Sequence, residues 1–193
     1  MQVVLASSNP GKVRELSSLL VPLGWELVAQ SQLGIEPVEE TGSTFLENAL
    51  LKARHAARLA DLPALADDSG IEVDALGGRP GVWSARFAGE GASDAQNLEH
   101  LIAQMRAVPA PRRSARYRCV IVFLPAPGAE PVIGEGVWEG QLLEAPRGHG
   151  GFGYDPLFLP RGLQLTAAEL APEVKDALSH RGQALQALRR ALT

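Results

Sequence analysis

Apolar and polar positions along this chain switch between two periods, and each switch marks an element. Residues 2–6 (QVVLA) form an apolar run of strand length. Asn9 then reads as an N-cap and Pro10 as a first helical residue, where the missing N–H has no role. Val13, Leu16, Leu19 and Leu20 recur at helical spacing and predict a helix from Pro10 to about Val21, with Gly24 following its end. Residues 25–30 (WELVAQ) predict a strand, and residues 36–43 (EPVEETGS) a polar stretch.

Thr44 and Glu47 read as a capping box opening a helix to about Leu62, where Pro63 stops it. Its apolar positions are Phe45, Leu46, Ala49, Leu50, Ala53, Ala56, Ala57 and Ala60, while Asn48 and Lys52, four apart, share a different face. Residues 64–70 (ALADDSG) predict a short strand ending in a carboxylate pair, residues 71–76 (IEVDAL) a segment that pairs nearby, and GGRPG a turn. Ser93 and Gln96 cap a second long helix, to about Val108. Residues 115–125 and 131–143 read as a hairpin, residues 148–156 (GHGGFGYDP) as a glycine-rich loop. Thr166 and Glu169 predict a short capped helix, and Ser179 caps a final amphipathic helix to about Ala191. Strands alternating with helices, plus one hairpin, indicate an α/β fold with a mixed sheet, in one domain over residues 1–193.

Composition narrows the function. At 46% hydrophobic and 21% charged, the 193 residues suffice for a sizeable core. A net charge of −4 argues against a general nucleic-acid partner, so a polyanionic ligand would need local cations to hold it. No apolar run approaches the roughly 20 residues of a membrane span. The start, MQVVLASSNPGK, lacks the charged region of a signal peptide. The one cysteine, Cys119, fits a reducing cytoplasm, and its apolar setting in RYRCVIVFL reads as core, not as a catalytic thiol.

Four stretches carry candidate chemistry. Ser7, Ser8, Asn9, Pro10, Gly11 and Lys12 lie between a strand and a helix, where free N–H groups and the helix dipole suit a phosphate. A plain turn with a solvated lysine explains the same residues equally well. It is not a P-loop, because Ala6 and Val13 stand where that motif demands Gly and Ser or Thr. Glu39, Glu40, Asp67 and Asp68 supply oxygen ligands suited to Mg2+, and an aspartate there could polarise water. Glu39 reads as solvated, whereas Asp68, ending an apolar strand, reads as functional. The loop Gly148–Asp155 precedes no helix, so the dinucleotide fingerprint fails. Phe152 could stack on a base there, or reach into the core. Lys175, His180 and Arg181 gather donors near the start of the last helix, the wrong end for cations unless an anion is present, although exposed basic pairs are common. His55, His100 and His149 read as structural or solvent-exposed.

Taken in order, SSNPGK, EETGSTFLENALLKA, ADDSG, GGRPGVWSAR, GGFGYDPLF and SHRGQAL resemble the inosine triphosphate pyrophosphatase family, the XTP/dITP diphosphatases, over essentially the whole chain. The resemblance implies an elongated mixed sheet flanked by helices, two lobes around a substrate cleft, and a homodimer; the acidic balance and the lack of a long apolar run add the expectation of no nucleic-acid or membrane partner. It implies Mg2+-dependent hydrolysis of ITP, dITP and XTP to the monophosphate and pyrophosphate. Residues 7–12 then resemble the triphosphate turn, Asp68 the acceptor that activates water and touches metal, and Glu40 a second metal carboxylate. Lys52 resembles a phosphate-side lysine and Ser69 a substrate contact. Phe152, Gly153, Tyr154, Asp155, Lys175, His180 and Arg181 resemble the nucleobase pocket. The competing readings are a pyrophosphatase for modified pyrimidine or methylated nucleotides, and a nucleotide-binding regulator without turnover.

Overall fold

The structure is a computed structural model and describes residues 1–20 and 24–192. Its elements are β1 (Gln2–Leu5), α1 (Pro10–Leu20), β2 (Glu26–Ala29), α2 (Phe45–Ala60), β3 (Ala64–Val73) and α3 (Asp94–Met105). β4 (Ser114–Leu124), β5 (Val132–Leu142), β6 (Phe158–Pro160), α4 (Pro172–Leu178) and α5 (His180–Ala191) follow. Among the described residues, six strands make one sheet in the order β2-β1-β3-β4-β5-β6. β1 runs parallel to β2, with Gln2 opposite Glu26, and parallel to β3, with Val4 opposite Ala64. Parallel neighbours need a crossover, and α1 and α2 lie in those two connections. β6 pairs antiparallel with β5, so the sheet is mixed, as the alternation predicts.

The chain divides into two compact units. The first comprises Met1–Asp68, Cys119–Gly136 and His180–Thr193. Its core joins Val3, Leu5 and Leu65 to Cys119 and Ile121, to Leu16 and Leu20 of α1, and to Ala184, Leu185 and Leu188 of α5. Alanines at 49, 53, 56 and 57 give α2 a thin buried face, which packs against β1. β5 presents Gly134 and Gly136 to α5. A Cβ at Gly136 would overlap the carbonyl of His180 and lie 2.5 Å from the amide of Ala184, so glycine lets helix and strand backbones touch. The second unit comprises Ser69–Arg118 and Val137–Ser179. It packs Ile71, Val73, Leu101, Met105 and Leu157 with Tyr117, Trp138 and Phe158, the Tyr117 and Phe158 rings meeting edge-on at 4.8 Å.

The predicted caps on α2 and α3 are present: Glu47 N–H donates to Thr44 Oγ1 at 3.2 Å, and Gln96 N–H to Ser93 Oγ at 3.3 Å. α2 stops at Ala60, two residues before the predicted Leu62, because Asp61 turns left-handed at φ 52°. α3 ends at Met105, short of the predicted Val108. The predicted end of α1, Val21, lies outside the described residues.

Two expectations are corrected. Residues 64–70 and 71–76 are not separate strands: β3 runs unbroken through Val73, which puts Asp67 and Asp68 in mid-strand. Buried side-chain partners let the strand carry them. Thr166 and Glu169 close a turn, with Thr166 N–H donating to Glu169 Oε2 at 2.8 Å, but no helix follows it directly. Pro172 holds Ala171 extended at ψ 143°, and α4 starts at the proline itself.

Candidate active site

Successive side chains of a strand point to opposite faces, so mid-strand Asp67 and Asp68 face different surroundings. Both are buried, at 1% and 4% exposure, which a carboxylate tolerates only among donors and cations. Asp67 Oδ2 lies 3.1 Å from Lys12 Nζ of α1 and accepts from Arg181 of α5 at 3.2 Å. Arg181 also pairs with Glu15 of α1. Asp68 meets α2: its Oδ2 accepts from Asn48 Nδ2 at 3.2 Å and its Oδ1 from Lys52 Nζ at 3.0 Å. The same ammonium donates to Glu40 Oε1 at 2.8 Å, bringing a loop carboxylate to the strand carboxylate.

These surroundings drive the two aspartates apart electrostatically. Burial pushes Asp67 up, but Lys12, Arg181 and Lys52 reverse that and hold it well below the usual carboxylate range. For Asp68 burial prevails over Lys52 and Lys12, with Glu40 adding repulsion, and its pKa is raised. Burial disfavours the Lys52 ammonium, yet Asp68, Glu40 and Asp67 outweigh it and raise its pKa. Arg181 likewise stays charged: burial opposes the charge, and Asp67 and Glu15 restore it. Cys119, 4.0 Å from Asp67, is pushed up to about 12, chiefly by burial, which bears out its reading as a core residue.

The turn at 7–12 carries the N-cap that the sequence predicts at Asn9. Asn9 Oδ1 accepts from the N–H groups of Gly11 at 2.8 Å and Lys12 at 3.1 Å, so the cap already occupies donors that a phosphate was expected to use. Ser7 Oγ accepts from Asn9 N–H at 3.3 Å. Ser8 and Pro10 are exposed, and Gly11 is buried. The turn's charged contribution is therefore the Lys12 ammonium, delivered by the first turn of α1 to Asp67.

In the second unit, the glycine-rich loop is organised around Asp155. Its Oδ2 accepts from Lys175 Nζ at 2.6 Å and from Phe152 N–H at 2.9 Å, and its Oδ1 from Tyr117 Oη at 3.1 Å. The Lys175 ammonium also lies 4.9 Å from the centre of the Phe152 ring, within cation–π range. Gly153 N–H donates to Asp94 at the start of α3 at 2.8 Å, and Tyr154 Oη to Ser84 O at 2.7 Å. Gly151, at φ 69°, passes so close to Asp155 that a Cβ would overlap the carboxylate.

Of the residues singled out by sequence, Lys12, Glu40, Lys52, Asp68 and Arg181 share the first unit's charged cluster, while Phe152, Gly153, Tyr154, Asp155 and Lys175 share the second unit's loop cluster. Ser69 follows Asp68 in β3 and is half-buried; His180 begins α5 and is buried; Glu39 is exposed. Sequence reasoning gave no role to Asn48, Glu15 or Tyr117, and placed Asp67 only in the acidic set suited to Mg2+. Asn48 had a signal, its four-residue spacing from Lys52; the others are joined only by long-range folding. His55 hydrogen-bonds Glu36 O at 2.9 Å, and His100 meets the Phe87 ring edge-on.

Glu40 and Asp68 already converge on a cation, the Lys52 ammonium, and their donor set is oxygen alone, which suits a hard metal ion. Among the described residues no three acidic, histidine or cysteine side chains gather as a metal cage. The cluster thus offers the Glu40 and Asp68 carboxylates, the latter buried with a raised pKa, beside several cations. That combination can hold a polyanion and accept a proton from water.

A family model described as the Ham1 family matches residues 3–191. A dITP/XTP pyrophosphatase of Methylococcus capsulatus is 59% identical over 188 residues, covering 97% of this chain and 94% of its own. A solved HAM1 protein from Coxiella burnetii superimposes with a TM-score of 0.90 at 47% identity, covering 100% of this chain and 98% of its own. The Staphylococcus aureus Ham1 protein gives a TM-score of 0.87 at 38% identity, with the same coverage.

Proposed function

This chain belongs to the Ham1 family, and we propose from that membership that it hydrolyses damaged purine nucleoside triphosphates (ITP, dITP and XTP) to the monophosphate and pyrophosphate. The observation that carries the reading is local: Glu40 and Asp68 share one ammonium, with Lys12 on the neighbouring aspartate. The name of the Methylococcus relative supports the substrate class.

Mg2+ is the metal we assign to Glu40 and Asp68. It commonly binds through one or two carboxylates and completes its shell with water and substrate phosphates, so a full protein cage is not required. When bound, the ion would offset charge on the polyphosphate. Asp68 takes the proton of the attacking water, a role helped by the burial that raises its pKa. Lys52 orients Asp68 and Glu40, and Lys12 supplies positive charge to the polyphosphate. Selectivity rests on hydrogen-bond donors that meet a C6 carbonyl and are left unpaired by the C6 amino group of adenine. A homodimer acting on the cytoplasmic nucleotide pool belongs to the same proposal; among the described residues no helix is long and apolar enough to cross a membrane.

The test is steady-state turnover of ITP, XTP, ATP, GTP and a modified UTP with Mg2+, identifying both products. Monophosphate with pyrophosphate from ITP and XTP, and little from the rest, is the expected result; release of orthophosphate would reject it. Asp68→Asn should lower kcat by about a hundred- to ten-thousandfold with an unchanged circular-dichroism spectrum. A near-normal rate in that variant removes Asp68 from the role of base.

A further inference from the structure

Asn48 lies in the first turn of α2 and is 1% exposed, so both ends of its amide need partners inside the protein. The backbone N–H of Gly42 can only donate, and it lies 2.8 Å from Asn48 Oδ1. That contact fixes which way the amide faces, and turns its NH2 to Asp68 Oδ2 at 3.2 Å. Reversing the amide would set donor against donor at Gly42 and acceptor against acceptor at Asp68. The other oxygen of Asp68 is held by Lys52, which also holds Glu40, two residues before Gly42. The bonds therefore close a ring: Asp68 to Asn48, Asn48 to Gly42, along the chain to Glu40, through Lys52, and back to Asp68. The ring needs a glycine at 42, because a Cβ there would lie 2.6 Å from Asn48 Oδ1 and 2.7 Å from Glu47 Cβ.

We propose that Asn48 is a positioning residue for hydrolysis: it sets the orientation of the Asp68 carboxylate and locks it to the loop carrying Glu40. The inference rests on the triphosphate-hydrolysing reading of this site. With donors from α2 on both of its oxygens, Asp68 cannot rotate without breaking two hydrogen bonds at once. Asn48 touches neither water nor substrate in this role; it acts through Asp68 and Gly42.

The experiment compares Asn48→Ala, Asn48→Asp, Gly42→Ala and the Gly42→Ala/Asn48→Ala double variant in the full chain, with ITP and Mg2+. A urea melt of each variant accompanies the kinetics. Removing such a supporting contact should lower kcat by about ten- to hundredfold, while KM moves less than about threefold because the groups that bind the polyphosphate are intact. Asn48→Asp separates positioning from mere anchoring: it keeps an acceptor for Gly42 N–H but offers Asp68 no donor, so it should lose kcat as Asn48→Ala does. Near-wild-type kcat in Asn48→Asp would make Asn48 a loop anchor only and overturn the proposal. Gly42→Ala pushes the same amide from its other end, and adding it to Asn48→Ala should cost no further kcat; fully additive losses would also overturn it. If Asn48→Ala does not fold, Asn48→Asp and Gly42→Ala decide the matter. A wild-type enzyme that does not turn over ITP would overturn the underlying reading, whereas normal wild-type turnover with unimpaired Asn48 variants overturns this inference alone.

Discussion

Arg181 is 1% exposed, and a guanidinium so far from water must keep its counter-ions. It has them in Asp67 and Glu15, one on β3 and one on α1, and so ties three separated parts of the chain together. Removing one member of a buried ion pair strands the others, typically at about 3–5 kcal/mol. Arg181→Ala should therefore lower the urea midpoint strongly, and its effect on ITP selectivity is to be judged only under conditions where the variant is folded. Arg181→Lys keeps the charge but not the fork that reaches both carboxylates, and should recover only part of the loss. Unchanged stability in Arg181→Ala would mean that the pair is not needed by the fold. The sequence shows why this role is hard to read in advance. A basic residue in the first turn of a helix suggests a bound anion, and the anions it meets here are side chains 114 and 166 positions away. Lys12, Lys52 and Asp68 each sit on a local signal, an N-cap, a helical spacing or a carboxylate in an apolar run, whereas Glu40, in a polar stretch, was singled out as a metal carboxylate by the family resemblance.

At the scale of elements, the caps were readable because an N-terminal cap is a contact within four residues. Ends set by the rest of the fold were not. The segment after α3 is closed by Arg113, 4% exposed, which donates to Met105 O at 2.9 Å, Val108 O at 3.1 Å, Leu142 O at 3.0 Å and Leu143 O at 2.7 Å. One guanidinium thus bridges carbonyls at the end of a helix and at the end of β5. Arg113→Ala removes donors from four carbonyls, of which Met105 O keeps the Val108 N–H, and should cost about 2–4 kcal/mol, read as a lowered urea midpoint with an unchanged far-ultraviolet spectrum. Arg113→Lys presents a point charge in place of five arranged donors and should rescue a minority of that loss; full rescue would show that the charge alone suffices. β3 illustrates the complementary failure. Two adjacent carboxylates followed by Ser and Gly look like the end of a strand, and only the cations waiting on each face let the strand continue through them.

At the scale of the whole molecule, neither compact unit is one stretch of sequence. The first takes three segments and the second takes two, so a reading that moves along the chain finds a single domain and no linker. The first unit's core shows the consequence: Leu5 and Leu65 lie in the opening segment, Ile121 and Phe123 in the middle one, and Ala184, Leu185 and Leu188 in the last. Deleting α5 would uncover those apolar groups, strip Gly134 and Gly136 of the helix seated on them, and leave Asp67 without Arg181. Each fully buried leucine contributes roughly 1.5–3 kcal/mol, against a total stability of about 5–15 kcal/mol for a domain. A chain ending at Ser179 is therefore expected to lose its cooperative thermal transition and its dispersed amide spectrum. A chain ending at Ala191, whose last two residues are exposed, should melt as the full-length protein does. A cooperative melt of the 1–179 chain within a few degrees of the full-length protein would mean that the opening and middle segments form the core without α5.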